Sequence, residues 1–475
     1  MFGLVAAVSA LATAASHAEP PAAPTSGSTP AATPSAAPTK EELAAEAAAA
    51  KAKAREQKEL RAKYGEGPYP GEVEAFIASK PATLQPFFRT LFLGGERNAV
   101  LNFDRLGLAA MQAGEWKIAE HAFDGALTRI EQVYAQNTQA EQAKSVWKKE
   151  ARKDYKGEPY ERAMAYYYRG LLYLRTEDYD NARASFKGAL FQDSINLDGD
   201  RAQDFVLMNY LSGWASACAG DTSLADEQFQ IAAKVNTNLV RPPAGTNTLF
   251  IAEIGLGPVK SKSGQNAELL EFKSVTGLPE AGAYFTASGN PAAPQIATRE
   301  VASLSYQASD RDGRKMDGVL KGKAEAKAIT NAVGDQMIQQ SLLNNNNGMG
   351  GMMGGMLAGW MMKGLSSAMH ADADIRMWDT LPDRVLLATA TVSPLPSGNY
   401  SITFLDGKQA QVDLKPAALQ AFGGKRCSLI WARSRDAIAV DPVTPGDDAG
   451  VAAANARRKE VQAKDKGFRA SLSDF

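Results

Sequence analysis

The chain has 475 residues, 45% of them hydrophobic and 22% charged, with a formal net charge of −1. That length allows about three domains, and the composition is that of a soluble globular chain able to build sizeable cores. With 52 basic against 53 acidic residues, binding of nucleic acid through a broad basic face is excluded, because such binding needs clustered cations to release counterions.

The first stretch, MFGLVAAVSALATAASHAEP, is apolar and rich in small residues, and Ser16 and Ala18 suit a signal-peptidase site. It reads as a signal peptide over residues 1–18, although no Lys or Arg precedes the apolar run; the other reading is an Ala-rich tail. No Cys stands beside the cut, so a lipid anchor is not expected there. Residues 19–40, mostly Pro, Ala, Ser and Thr, read as an extended tether. Strong helix formers of mixed charge follow, and they predict a solvated spacer helix within 41–68, from about Glu41 to Tyr64. The GEGPYPG stretch ends it.

Three segments then repeat one pattern. Gly107, Ala119, Phe123 and Ala126 recur as Gly170, Ala182, Phe186 and Ala189, and again as Gly213, Ala225, Phe229 and Ala232, with spacings of 12, 4 and 3 each time. Small residues let two antiparallel helices approach, and the aromatic fills the gap between them. The pattern resembles the tetratricopeptide repeat. The resemblance covers about Arg97 to Asn238, within a helical domain at 69–240. It departs from the family in the two dozen residues between the first and second units and in the missing closing Pro. ATLQPFFRTLFLGGERNAV, just before, has a helical period and is expected to pack on the open end of the array.

In the repeat family the first helix of each pair lines a partner-binding groove. Carried over, the groove residues are Leu101, Asp104, Leu108 and Met111; Met164, Tyr167, Leu171 and Arg175; and Leu207, Tyr210 and Trp214. Aromatics beside an Arg are typical interface anchors. The alternative for each aromatic is inter-repeat core. The Lys, Arg and Asn of the family's carboxylate clamp are absent, so that clamp is not expected.

From 241 to 440 the texture changes to an α+β domain. Six β-rich stretches between Gly, Pro and Asn turns predict about six or seven strands. GLGPVK, Gly255 to Lys260, reads as a turn between strands rather than a phosphate loop. Met316, Val319, Ala326, Ile329, Val333 and Met337 mark one face of a long helix. Asp310, Asp312 and Asp317 only partly match a calcium loop and read as a solvated loop.

Residues 344–370 hold a Gly/Met-rich insertion. Met349, Met352, Met353, Met356 and Trp360 lie among glycines at four-residue intervals. Such a small-xxx-small ridge suits close helix packing, a membrane surface or an oligomer contact; thioethers also suit Cu(I). The order of preference is a packed insertion, then a membrane or oligomer contact, then copper. No stretch reaches the ~18 apolar residues of a spanning helix. The two cysteines, Cys218 and Cys427, are too few for a disulfide framework and are expected as buried free thiols.

After the insertion come Ala373, Asp374, Arg376, Trp378, Leu381 and Pro382 in the pattern A-D-x-R-x-W-x-x-L-P. With the repeats, GLGPVK and the long helix before it, this order resembles a family of uncharacterised exported bacterial proteins, often outer-membrane lipoproteins. The physical reading of the motif is an ion pair, Asp374 with Arg376, and a Trp378 anchor leading into a strand; the other reading is a binding site. Residues 441–475 read as a polar, loosely ordered tail.

No HExxH, GxSxG or GxxxxGK[ST] occurs, so no enzyme, cofactor or metal centre is expected. The expected architecture is an irregular tetratricopeptide-like helical solenoid followed by a mainly β domain carrying a long helix and the Gly/Met insertion. The expected role is an exported envelope scaffold that grips a protein or peptide partner.

Overall fold

The computed structural model describes residues 39–64, 67–135, 154–194, 205–263, 269–288, 294–309, 374–392, 400–440 and 459–475. The expected signal peptide and most of the expected tether, the expected long helix at 316–343, the acidic stretch at 310–317 and the Gly/Met-rich segment with Met349, Met352, Met353, Met356 and Trp360 lie outside these residues. Contacts divide the chain after Glu59. Helix α1 (Lys40–Tyr64) crosses that boundary; it is Ala- and charge-rich, and its i,i+4 pair Arg55–Glu59 is exposed.

In the second unit α2 (Pro70–Ile77) and α3 (Gln85–Gly94) lead into three helical hairpins. The first pairs α4 (Ala99–Ala113) with α5 (Trp116–Ala135), the second α6 (Pro159–Arg175) with α7 (Tyr179–Ser194), and the third α8 (Leu207–Ala219) with α9 (Thr222–Val235). The repeat glycines explain the pairing. A β-carbon on Gly107 would lie 2.8 Å from the Phe123 ring, one on Gly213 3.0 Å from Phe229, and one on Gly170 closer still to Phe186. Each Phe occupies the volume that a larger residue on the opposite helix would need, and Ala119, Ala182 and Ala225 are fully buried beside it. The first and third turns use Gly114 and Gly220 with positive φ, the left-handed helix stop.

The β region has eleven strands among the described residues: β1 (Thr248–Ile254), β2 (Val259–Ser263), β3 (Leu269–Lys273), β4 (Gly282–Ala287), β5 (Ile296–Ala297), β6 (Arg299–Ser303), β7 (Arg384–Ala390), β8 (Tyr400–Leu405), β9 (Gln411–Val412), β10 (Ala418–Gly423) and β11 (Ser428–Arg433). That exceeds the six or seven expected. GAYFTA (β4) and ALQAFG (β10) are too rich in small residues to stand out as strands, and several β-rich stretches contain two strands each. SLSYQAS, read as strand, is partly the short helix α10 (Leu304–Ser309).

One sheet has the order β10-β11-β1-β7-β6, parallel only between β1 and β11; a second has the order β5-β4-β8-β9; β2 and β3 form a separate ribbon. Strand β1 is central and buried along its whole length. Its alternation divides two cores. Leu249 and Ile251 join the core shared with the helices, while Phe250, Ala252 and Ile254 join a second core with Phe285, Ile402 and Phe404 of the smaller sheet. The result is three layers: helical hairpins, a five-stranded sheet, and a four-stranded sheet.

Two further expectations are corrected. Cys218 and Cys427 are not free: they form a disulfide, Cα to Cα 5.8 Å across 209 residues of sequence. The fold returns the β10–β11 turn to the end of α8, which sequence separation cannot reveal. Nor is the described part of the last segment, 459–475, loose. Residues 459–471 form helix α11 (Lys459–Ser471), and Phe468 and Leu472 are buried against the helical layer.

Candidate functional site: the seam between hairpins and sheet

The first helix of each hairpin is buried nearly all round, whereas the second is amphipathic with an exposed outer face. What covers the first helices is the chain's own sheet. Gln420 of β10 donates to the Gln112 carbonyl of α4 (3.2 Å). Tyr167 and Tyr168 of α6 reach Glu253 of β1.

This overturns the groove. Asp104, Leu108, Met111, Tyr167, Leu171, Tyr210 and Trp214 are all buried, as are Leu101, Met164 and Leu207. Arg175 is half-buried and committed: it pairs with Glu120 at 2.9 Å and lies over the Trp116 ring. The residue types that suit a partner groove also suit a hydrophobic and hydrogen-bonding seat for a sheet, and the chain supplies that sheet.

At the centre of the seam lies a polar cluster. Glu253 of β1 accepts four bonds: from Tyr167 Oη (3.0 Å) and Trp431 Nε1 (2.8 Å) on Oε1, and from Tyr168 Oη (2.8 Å) and Arg433 Nη1 (2.5 Å) on Oε2. Arg433 also donates to Tyr168 Oη (2.7 Å) and to the Thr380 carbonyl (2.6 Å). Burial pushes both tyrosines well above their ordinary pKa, so both stay protonated donors. Burial alone would lower the Arg433 pKa, but Tyr168 and Glu253 outweigh it. A buried ion pair offsets its desolvation only when its remaining valences are filled, and here they are.

A second cluster lies at the N-terminal end of α6. Glu161 accepts from the Glu158 amide (2.6 Å) and Lys260 Nζ (2.7 Å) on Oε2, and from the Trp378 amide (2.7 Å) on Oε1. Lys260, the last residue of GLGPVK, is buried; it also donates to the Arg376 carbonyl (2.8 Å) and faces Glu158 at 3.5 Å. Within GLGPVK, residues 255–258 turn between β1 and β2, tied by the Gly257 amide to the Leu381 carbonyl (2.7 Å), and Val259 and Lys260 open β2.

The 374–382 motif is threaded through this seam. Asp374 and Arg376 pair at 2.6 Å, and Arg376 reaches Asn98 (2.9 Å). Arg105 of α4 holds Asp379 and the Met377 carbonyl. Trp378 is buried between Phe123 and Tyr168. Its indole nitrogen and Asp104 Oδ1 have no partner among the described residues. Burial, then the nearby Glu161, raises the Asp104 pKa well above the ordinary value.

Sequence reading passed over Glu253, Arg433, Lys260 and Glu161. A signal existed: Glu253 and Arg433 are single charges in the apolar runs TLFIAEI and SLIWAR, and a lone charge in a buried strand requires a partner. Among the described residues, no group of three or more His, Cys, Asp or Glu side chains is placed to hold a metal, and no helix is long and apolar enough to cross a membrane. No family model, curated protein or solved structure matches the chain.

Proposed function

We propose that this protein is an exported adaptor of the bacterial cell envelope, built on a tetratricopeptide-like array whose first helices are committed to its own sheet. The observation that carries the reading is the asymmetry of the hairpins. The inner helices α4, α6 and α8 are saturated within the chain, and α5, α7 and α9 present amphipathic outer faces. Recognition of a protein partner therefore falls to those outer helices and their flanks, not to Tyr167, Tyr210 and Trp214.

The Cys218–Cys427 disulfide supports export, since such bonds persist in oxidising compartments. The test is in-cell photo-crosslinking combined with fractionation. A crosslinker at Phe191, 60% exposed on α7, should capture an envelope protein from a chain found oxidised in the periplasmic or membrane fraction. A chain retained in the cytoplasm with free thiols would contradict export; crosslinking only to abundant bystanders at every outer position would contradict the adaptor reading.

A further inference from the structure

The β10–β11 corner is fastened to all three hairpins. Phe422, near the end of β10, meets Trp116 of the first hairpin edge-on (5.0 Å between centroids). The Arg426 amide donates to Glu177 Oε1 (3.0 Å), which stands in the α6–α7 turn of the second. The Arg426 guanidinium donates to the Ala219 (2.6 Å) and Cys218 (3.4 Å) carbonyls, at the C-terminal end of α8 in the third. A β-carbon on Gly424 would collide with the Cys427 carbonyl and the Glu177 carboxylate, so the turn fits this seat only with glycine there. These non-covalent contacts by themselves set Cys427 against Cys218.

The two sulfurs differ in access. Cys218 is 4% exposed and belongs to the core shared by hairpins and sheet. Cys427 is half-buried and directly follows the exposed Lys425 and Arg426. Thiol–disulfide exchange begins with a thiolate attacking one sulfur, and access decides which. An incoming protein reaches Cys427 from the solvent side, whereas Cys218 is reached only through packed side chains. The chain has two cysteines in all, so no internal reshuffling can make this bond. The two electrons released when it forms go to an outside acceptor.

We propose that Cys427 is the exchange site of this disulfide, the sulfur on which a dithiol oxidoreductase of the envelope forms its mixed disulfide, and that Cys218 resolves it once the corner has assembled. The Cys427 thiolate attacks one sulfur of the oxidised partner's disulfide, and the partner's other sulfur leaves as a thiolate. The Cys218 thiolate then attacks Cys427 Sγ, and the partner's remaining sulfur leaves. The chain's two thiols are oxidised to the disulfide, the partner's disulfide is reduced to a dithiol, and the two protons lost by the chain are taken up by the partner's thiols. This rests on the export reading and names a partner class for it.

The probe is the chromogenic disulfide of thionitrobenzoate, and the protein is the full chain. Cys218→Ser leaves Cys427 as the single thiol, and Cys427→Ser leaves Cys218. In native buffer Cys427 should release thionitrobenzoate at least about tenfold faster than Cys218, and the two rates should converge in denaturant. Equal native rates, or a faster Cys218, overturn the proposal. If a variant does not fold, the unaltered chain decides. Reduced and given less than one equivalent of maleimide, it should carry the label on Cys427 over Cys218 by at least about ten to one, read by peptide mass spectrometry. Equal labelling overturns the proposal, because it would mean that the corner does not assemble before the bond closes. A chain found in the cytoplasm with free thiols would remove the export reading while leaving this order of reactivity intact.

Discussion

Glu253 and Arg433 stand directly opposite each other on the parallel strands β1 and β11, and their side chains form a fully buried ion pair at 2.5 Å that faces the helical layer. Two tyrosines from α6 and one indole complete it. This polar knot ties helix to sheet inside a largely apolar interface.

Breaking one side of that knot should be costly. Glu253→Met or Arg433→Met leaves a buried charge uncompensated, a loss of about 3–5 kcal/mol. The double variant Glu253→Met, Arg433→Met should lose clearly less than the sum of the single changes. Urea unfolding of the four species measures the coupling; simple additivity would mean that the pair is not coupled.

Asp104 should make stability fall as pH rises. Its folded-state pKa is raised, by burial first and Glu161 second. The native state therefore keeps a proton that the unfolded chain releases above its ordinary value. The associated stability is complete below that value and is lost as pH climbs towards the folded one. Asp104→Asn should melt above the unaltered chain near about pH 8, with the gap closing towards about pH 4. Melting scans across that range test it, and a gap independent of pH would contradict it.

The Gly–Phe pairs should tolerate little. In Gly170→Ala the new methyl meets the Phe186 ring, an overpacking of about 1–3 kcal/mol against a helix-propensity gain of about 1 kcal/mol. A net loss is expected, and Phe186→Leu in the same chain should recover part of it. Denaturant midpoints of the single and double variants measure both effects.

Joining residues 209 apart in sequence, the disulfide constrains the unfolded chain strongly. Cys218→Ser with Cys427→Ser should lower stability by about 2–5 kcal/mol. Adding a reductant to the unaltered chain should reproduce the shift and leave the double variant unmoved.

Local pattern was legible in the sequence; what each element packs against was not. The repeats announced three hairpins because Gly107, Gly170 and Gly213 each need a facing ring, and that requirement lies within ~20 residues. The motif at 374–382 gave away its ion pair and its Trp anchor for the same reason. The sheet behind the hairpins could not be foreseen, because Tyr167 meets Glu253 only after the chain has run 86 residues further. Burial by a partner and burial by one's own sheet call for the same side chains, so Tyr210 and Trp214 looked like a groove. The Cys218–Cys427 bond and the docking of Phe468 on Phe103 are likewise products of long-range return.

The covered inner face can be tested by thiol labelling of the native protein. Leu171→Cys places a thiol on α6 where the native side chain is 1% exposed, and Phe191→Cys places one on α7 where it is 60% exposed. Maleimide should modify the second within minutes and the first at least about a thousandfold more slowly, until denaturant opens the fold. Comparable native rates at both positions would mean that the sheet does not cover the hairpins, and the groove would be open after all.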